Sequence, residues 1–542
     1  MTYRQAQSGN LTAILASARS GALDHAWRQF EAAGFGDDDP DPAVHTLRGR
    51  LLKDRALRAI LDADRKHLFA EAANAYARAD ALSAAPYHLI NVATMRFLAG
   101  DEREAAGFAA QVVERIDHGG EIADTPYFIE ATRAEALLLQ RDIEGATSAL
   151  RHAITLGSNW QDHAVTLRQL NLICEASDLP CGWLDAFRPP ASLHFAGHLG
   201  VAADDAANAR LIAQIDGIIA AHNVGFGFGA LAAGSDILVA ERLIARGAEL
   251  HVMLPMSRTA FRAASVEPWA ENWAERFEAC LDAADSVREA SDVTGRYDPV
   301  ANTLASELSM GAAVLNAGLL ESVAVQLLIA DEAEGTFGSG KETARDGETW
   351  HAAGRLQHVV RWPRQITTPP AGTGSAEEPG RRVAALLFIG FAGMEQVGDA
   401  ETGRFVAGTI APIEAVLSGL PHPPFHISRQ SAGYALAFDT PEEAAHAALR
   451  LRDADRTAAP VSLRISGHYG IVLQSAAGLY GTASALPEWI DPITQPGGIF
   501  VSADFATALF GRVTSGYRTE FAGEHLPMRG NAPVALYALM EG

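Results

Sequence analysis

Cysteine is scarce in this chain. Only Cys174, Cys181 and Cys280 occur in 542 residues, and their spacing matches no metal-binding pattern. Cys174 and Cys181 are near enough in sequence to pair, but an odd, sparse set predicts reduced thiols in a cytoplasmic protein. Long apolar runs are also lacking. A stretch such as Ala384 to Phe391 is too short to span a bilayer, and the N-terminus has no charged start followed by an apolar core. Basic residues are outnumbered 66 to 43, for a formal net charge of −23. That balance opposes partnership with nucleic-acid backbones or anionic membranes. Small nucleotides remain compatible with it, because Gly-rich loops bind phosphate through backbone N–H groups. What is present is globular: 48% of residues are hydrophobic, and the length suits about three or four domains.

The first third, residues 1–188, is Ala-rich and carries apolar residues at helical spacing. Helices are predicted over Ala70 to Leu82 and Pro86 to Leu98, broken at Ala99-Gly100-Asp101. More follow over Arg103 to Ile116, Pro126 to Leu139, Asp142 to Ile154 and Asn159 to Ile173. Helix pairs recurring at roughly 30–40 residues predict helical hairpins stacked as a repeat. The pattern resembles tetratricopeptide repeats, which implies a concave surface for a protein or peptide partner. A bundle packed on its own protein is the alternative, and no single residue here marks a site.

Composition changes after Pro189-Pro190. Short apolar strands stopped by Gly alternate with helices: strand Ala191 to Gly197, helix Ala206 to Ala221, strand Val224 to Gly229, helix Ser235 to Arg246, strand Glu249 to Leu254. Over 189–364 this order predicts an α/β Rossmann-like domain with a doubly wound parallel sheet. Ligands of such sheets sit beyond the carboxyl ends of the strands, here Gly197-His198 and Gly229 to Gly234. Ser235 and Asp236 open the next helix. The run Gly229 to Gly247, of form G-x-L-A-x-G-x-D-x-x-x-A-E-x-x-x-x-x-G, resembles the SLOG superfamily, which includes the DNA-processing protein A fold and LOG-type nucleotide hydrolases. The resemblance covers roughly Ser192 to Arg361.

It implies a nucleotide site on Gly197, His198, Gly229, Gly234, Ser235 and Asp236. A late loop, with Gly338, Gly340 and Thr343 after the strand Ala324 to Ala330, would face them. Asp236 suits a ribose hydroxyl or a plain helix cap. Gly335 to Lys341 meets Walker A spacing, but Glu342 stands where Ser or Thr must ligate Mg²⁺. The P-G-G-x-G-T-x-x-E frame of LOG-type hydrolases is absent too. Hydrolysis would then draw its acid/base carboxylate from Asp236 or from Glu342 or Glu348 nearby. His194, His198, His222 and His251 show no metal spacing, and neither a metal nor a cofactor is predicted.

Ile366 to Gly380 is rich in Pro, Gly, Ser and Thr and reads as a linker, placed at 365–380. Beyond it, 381–542 predicts an α+β, ferredoxin-like domain with a mainly antiparallel sheet: strand, helix Ala411 to Ser418, strand His426 to Phe438, helix Pro441 to Asp453, strand Val461 to Val472. Arg381 to Gly393 and Gly478 to Ser502 resemble the class III nucleotide cyclase domain. That family holds two metal ions on two Asp residues, whose places here are Gly390 and Ala432. Its base-recognising Lys corresponds to Ser428. Its later Asp, Asn and Arg fall on Gly478, Ala485 and Trp489. The resemblance therefore implies a degenerate domain without cyclase activity, kept for homodimer assembly or regulation. The combined expectation is a bacterial-type signalling protein whose middle domain binds a nucleotide-derived ligand. The alternatives are an enzyme hydrolysing a nucleotide or NAD-like substrate, and an interaction scaffold.

Overall fold

The protein was analysed as a computed structural model that describes residues 3–19, 21–118, 124–157, 159–292, 298–331, 341–366, 379–430, 432–454, 461–526 and 533–542. It divides into two compact units, Met1–Pro189 with Leu319–Glu321 and Pro190–Gly318 with Ser322–Gly542.

The first unit is helical: α1 (Tyr3–Arg19), α2 (Leu23–Ala32), α3 (Pro42–Arg58), α4 (Asp62–Leu82), α5 (Pro86–Leu98), α6 (Glu102–Asp117), α7 (Pro126–Leu139), α8 (Ile143–Thr155) and α9 (Trp160–Glu175). Local chemistry sets the starts. Pro42, Pro86 and Pro126 occupy first helical positions, where a missing N–H costs nothing. Asp41, Thr125, Asp142 and Asn159 accept hydrogen bonds from the first-turn amides of α3, α7, α8 and α9. From α3 to α8 each helix packs on the next. Buried alanines such as Ala72, Ala79, Ala93, Ala109 and Ala134 allow the helices to approach closely.

The second unit contains two sheets. The first is built from β1 (Ala191–Gly197), α10 (Ala209–Ala221), β2 (Val224–Gly229), α11 (Ser235–Ala245), β3 (Glu249–Leu254), α12 (Arg258–Ser265), α13 (Glu271–Ala283), β4 (Ser286–Glu289), α14 (Pro299–Leu319), β5 (Ala324–Ala330), α15 (Lys341–Ala352) and β6 (Leu356–Arg361). Its strands run parallel in the order β4-β3-β2-β1-β5-β6. Alternate residues face opposite layers. Leu193 and Phe195 of β1, with Leu250, Val252 and Leu254 of β3, join Ile215 of α10, Ile237 of α11 and Phe277 of α13 in one core. Met253 points the other way, into the core that includes Leu304 and Leu308 of α14. Chain order reverses at β1, so β2 and β5 diverge on either side of its carboxyl end.

The second sheet is built from β7 (Arg381–Ala392), α16 (Thr402–Phe405), a π-helical turn at Val406–Ile410, α17 (Ala411–Ser418), β8 (His426–Gln430), β9 (Gly433–Phe438), α18 (Pro441–Ala454), β10 (Ser462–Ser475), β11 (Gly478–Tyr480), α19 (Thr482–Ile490), β12 (Ile499–Ser502), α20 (Ala503–Arg512), β13 (Tyr517–His525) and β14 (Val534–Glu541). Its order is β13-β14-β12-β10-β7-β9-β8, with β11 beside β10. Only the β10–β12 pairing is parallel. The single strand expected over His426 to Phe438 is instead a hairpin. Gly433 opens β9 with φ of 157°, and a side chain there would run into the Ile389 carbonyl.

Candidate functional site

A cavity of about 140 Å³ lies at the carboxyl end of β1, where chain order reverses. This is the position at which open parallel sheets place ligands. His194 to Leu199 form one wall and Asp236 of α11 another. Asn302, Ser306 and Ser309 of α14 and Glu342, Thr343 and Asp346 of α15 close the remaining sides.

Asp236 dominates the electrostatics. Its side chain is buried, and Oδ2 accepts from the Ala232 amide at 3.3 Å. Oδ1 has no hydrogen-bond partner among the described residues. Burial raises its pKa to about 8, the amides of Ala232 and Gly197 pull it down, and the Asp346 charge pushes it up. Asp346 is itself raised to about 6 by burial, partly offset by Arg345. His198 contributes a second uncommitted atom. Its Nε2 lies 2.9 Å from the Trp362 carbonyl and so carries the proton. Burial disfavours the charged ring, which leaves Nδ1 as a buried acceptor without a partner among the described residues. His194, whose pKa burial lowers to about 3, is held by Gln326 at 3.0 Å and stacks on Trp350.

Of the residues picked out from the sequence, Gly197, His198, Asp236, Glu342 and Thr343 line this one cavity. Gly229, Gly234 and Ser235 stand behind its wall. A Cβ on Gly229 would come within 2.6 Å of the Phe195 ring. Gly234 has φ of 95° and faces the carbonyls of His198 and Leu199. The Ser235 hydroxyl donates to the His198 carbonyl at 2.6 Å, tying α11 to the end of β1. These contacts bring the end of β1 and the start of α11 together. Gly338 and Gly340 fall outside the described residues. Glu348, on α15, is not among the lining residues. Sequence reasoning missed Asp346, which sits four residues after Glu342 on the same helix face. It also missed Asn302, Ser306 and Ser309, a polar stripe at helical spacing on α14.

The helices that line the cavity also hold the second sheet domain. Glu307 of α14 accepts from the Tyr469 hydroxyl at 2.5 Å and from Arg512 at 2.6 Å. Further along α14, a Cβ on Gly311 would overlap the Thr507 carbonyl of α20. Arg355, just after α15, donates to the carbonyls of Phe510, Gly511 and Val513, at 2.6, 2.7 and 2.6 Å, at the end of α20. A helix C-terminus favours such a cation.

In the second sheet, Gly390 pairs with Gly433 across β7 and β9, placing Gly390 beside Ala432. The space a side chain at 390 would enter is taken by the Asp491 carboxylate. Arg464 holds both its oxygens, at 3.2 and 2.7 Å. This donor set does not fit a two-metal centre: Gly390 and Ala432 offer no ligand, and the nearby Asp491 carboxylate is already paired. A separate cavity of about 400 Å³ gathers Ser428, Gly478 and Ala485, three of the positions aligned with cyclase recognition residues.

Comparison with known proteins gives partial matches. Residues 4–96 match the family model for Tetratricopeptide Repeats-Sensor. No curated protein matches the chain. Among solved structures it is similar to an adenylate/guanylate cyclase/hydrolase from Silicibacter pomeroyi, at 20% identity and TM-score 0.26, covering 30% of this chain and 98% of that one. It is also similar to the adenylyl cyclase CyaB from P. aeruginosa, at 11% identity and TM-score 0.25, covering 30% and 95%.

Proposed function

We propose that this is a nucleotide-sensing regulatory protein whose Rossmann-like, SLOG-like middle domain binds a nucleotide-derived ligand at the β1 carboxyl end. The observation that carries the reading is a pair of buried atoms without a close hydrogen-bond partner among the described residues, Asp236 Oδ1 and His198 Nδ1, on two residues that line one cavity. Buried polar atoms in native proteins are normally satisfied, so two orphans on residues that line one cavity support a ligand there. A volume of about 140 Å³ accepts one ring, comparable with the engineered cavity of about 150 Å³ that binds benzene. A ribose fits that size and chemistry, with one hydroxyl donating to His198 Nδ1 and its neighbour bonding Asp236. The rest of the ligand would extend outside. Occupancy would bear on α14 and α15, and through Glu307, Gly311 and Arg355 on α20, which gives the C-terminal domain a means of reading it.

In the same reading the C-terminal domain is a cyclase relative without turnover, because Gly390 and Ala432 supply no metal ligand. It would act in dimer assembly or regulation, while the helical repeats receive a protein or peptide partner. Thermal shift with NAD, ADP-ribose and cyclic nucleotides tests the binding claim; no shift with any of them removes it. Release of cyclic product from ATP or GTP with Mg²⁺ or Mn²⁺ would overturn the inactive-cyclase claim.

One observation favours a second reading, as a hydrolase of a nucleotide or NAD-like substrate. Asp236 and Asp346 line one cavity with proton affinities raised to different degrees, the condition for separate acid and base roles. Asp236, protonated at neutral pH, would give its proton to the departing base, and Asp346 or Glu342 would activate water. Mass spectrometry after incubation with NAD distinguishes the readings: released base supports the hydrolase, and intact NAD supports the sensor.

A further inference from the structure

The helical unit contains a cavity of about 350 Å³ between α3, α5, α7 and α9. Four charged side chains line it, Arg50, Lys53, Asp54 and Glu135, with Gln169 among them. Lys53 donates to the Gln169 side-chain oxygen at 3.1 Å. The Gln169 amide nitrogen in turn donates to Glu135 Oε1 at 3.0 Å, and the buried Thr94 hydroxyl donates to the same oxygen at 2.5 Å. Gln169 therefore sits between a cation and an anion and keeps them apart, since no Lys53–Glu135 ion pair forms.

Each charge retains unused capacity. Lys53 has three N–H donors and one protein partner among the described residues. Both bonds to Glu135 fall on Oε1, leaving Oε2 without a protein partner there. Burial lowers the Lys53 pKa and raises that of Glu135, and in each case it outweighs the partner's opposite charge. Both side chains are half-buried, and charges withdrawn from water are normally paired directly. Here the amide spacer holds the two at a separation that a dipolar molecule would bridge. The same lining carries apolar and aromatic side chains, including Ile90, the half-exposed Tyr87 and Phe128.

We propose that this cavity binds a free α-amino acid with an apolar or aromatic side chain, its carboxylate on Lys53, its ammonium on Glu135 and its side chain against Tyr87 and Phe128. The helical unit then carries a small-molecule site of its own, independent of the nucleotide reading of the other unit. The chemistry is selective. A blocked peptide segment presents neither charge, and an isolated carboxylate or amine satisfies only one of the two.

The test is calorimetric titration of the full chain with L-phenylalanine and L-leucine. N-acetyl-phenylalanine, which lacks the ammonium, and phenethylamine, which lacks the carboxylate, are the controls. At least one amino acid is expected to bind, with both controls at least tenfold weaker. Lys53→Met and Glu135→Gln should each weaken the amino acid at least tenfold while keeping a wild-type helical circular dichroism spectrum. If a variant does not fold, the two blocked analogues decide the matter on wild-type protein alone. The proposal is overturned by no binding of either amino acid at 10 mM (about 3 kcal/mol of affinity). It is equally overturned by controls that bind as well as the amino acids, or by folded variants that bind unchanged.

Discussion

Two buried aspartates in the second unit have opposite fates. Asp236 faces a cavity with one oxygen uncommitted, and burial holds its pKa near 8. Asp491 is almost as inaccessible, but Arg464 grips both of its oxygens and its carboxylate fills the space beside Gly390. Burial raises the Asp491 pKa too, with Arg464 working against it. Burial alone therefore does not mark a functional carboxylate. What separates the two is compensation: an uncompensated group waits for something to bind, whereas a compensated one plugs a space.

The largest expected effect tests the uncompensated side. The folded pKa of Asp236 lies above the unfolded value of 3.8, so its contribution to stability is full below about pH 4 and is lost as pH rises through about 8. Ionising it in place costs on the order of 5 kcal/mol. Asp236→Asn removes that cost, so its melting temperature should climb relative to wild type between pH 5 and pH 9. A difference that stays flat over this range would mean Asp236 is not held protonated.

Arg464→Met tests the compensated side. It leaves Asp491 unpaired and should destabilise the second unit by about 3 kcal/mol, as when one partner of a buried pair is removed. Adding Asp491→Asn should recover most of the loss; no recovery would show that Arg464 acts elsewhere. Both changes are read from the unit's melting transition.

Next in size is Gly311→Val, which forces α14 away from Thr507 and should cost about 2 kcal/mol, within the range for overpacking. A denaturant melt checks it, and a neutral result would mean that the α14–α20 contact is loose. Ser235→Ala, which frees the His198 carbonyl, should cost about 1 kcal/mol. It should also leave ligand affinity near wild type, because Ser235 stands behind the cavity wall.

Much of this contrast was legible in the sequence. Strands Ala191–Gly197, Val224–Gly229, Glu249–Leu254 and Ala324–Ala330 occur at their expected bounds, because a strand buried on both faces is a short apolar run ended by a turn residue. Asp236 was found through its place at the start of a helix after a Gly-rich turn. Asp346 was not, since its neighbours on α15 are equally polar and only the fold distinguishes the face turned to the cavity. Asp491 is not singled out by the sequence, because the space beside Gly390 is defined by β7 and the turn at Asp491–Ile493, far apart in sequence. The Lys53, Glu135 and Gln169 cluster draws on α3, α7 and α9, and helical periodicity carries no information about which charges meet across three helices.

The central claim is that the chemistry of this unit lies at Asp236 and not in the second sheet. The most direct measurement is calorimetric titration of ADP-ribose into the wild-type chain and into Asp236→Ala. The account predicts saturable binding to wild type, at least tenfold weaker in the variant. Equal affinity in the two proteins would contradict it.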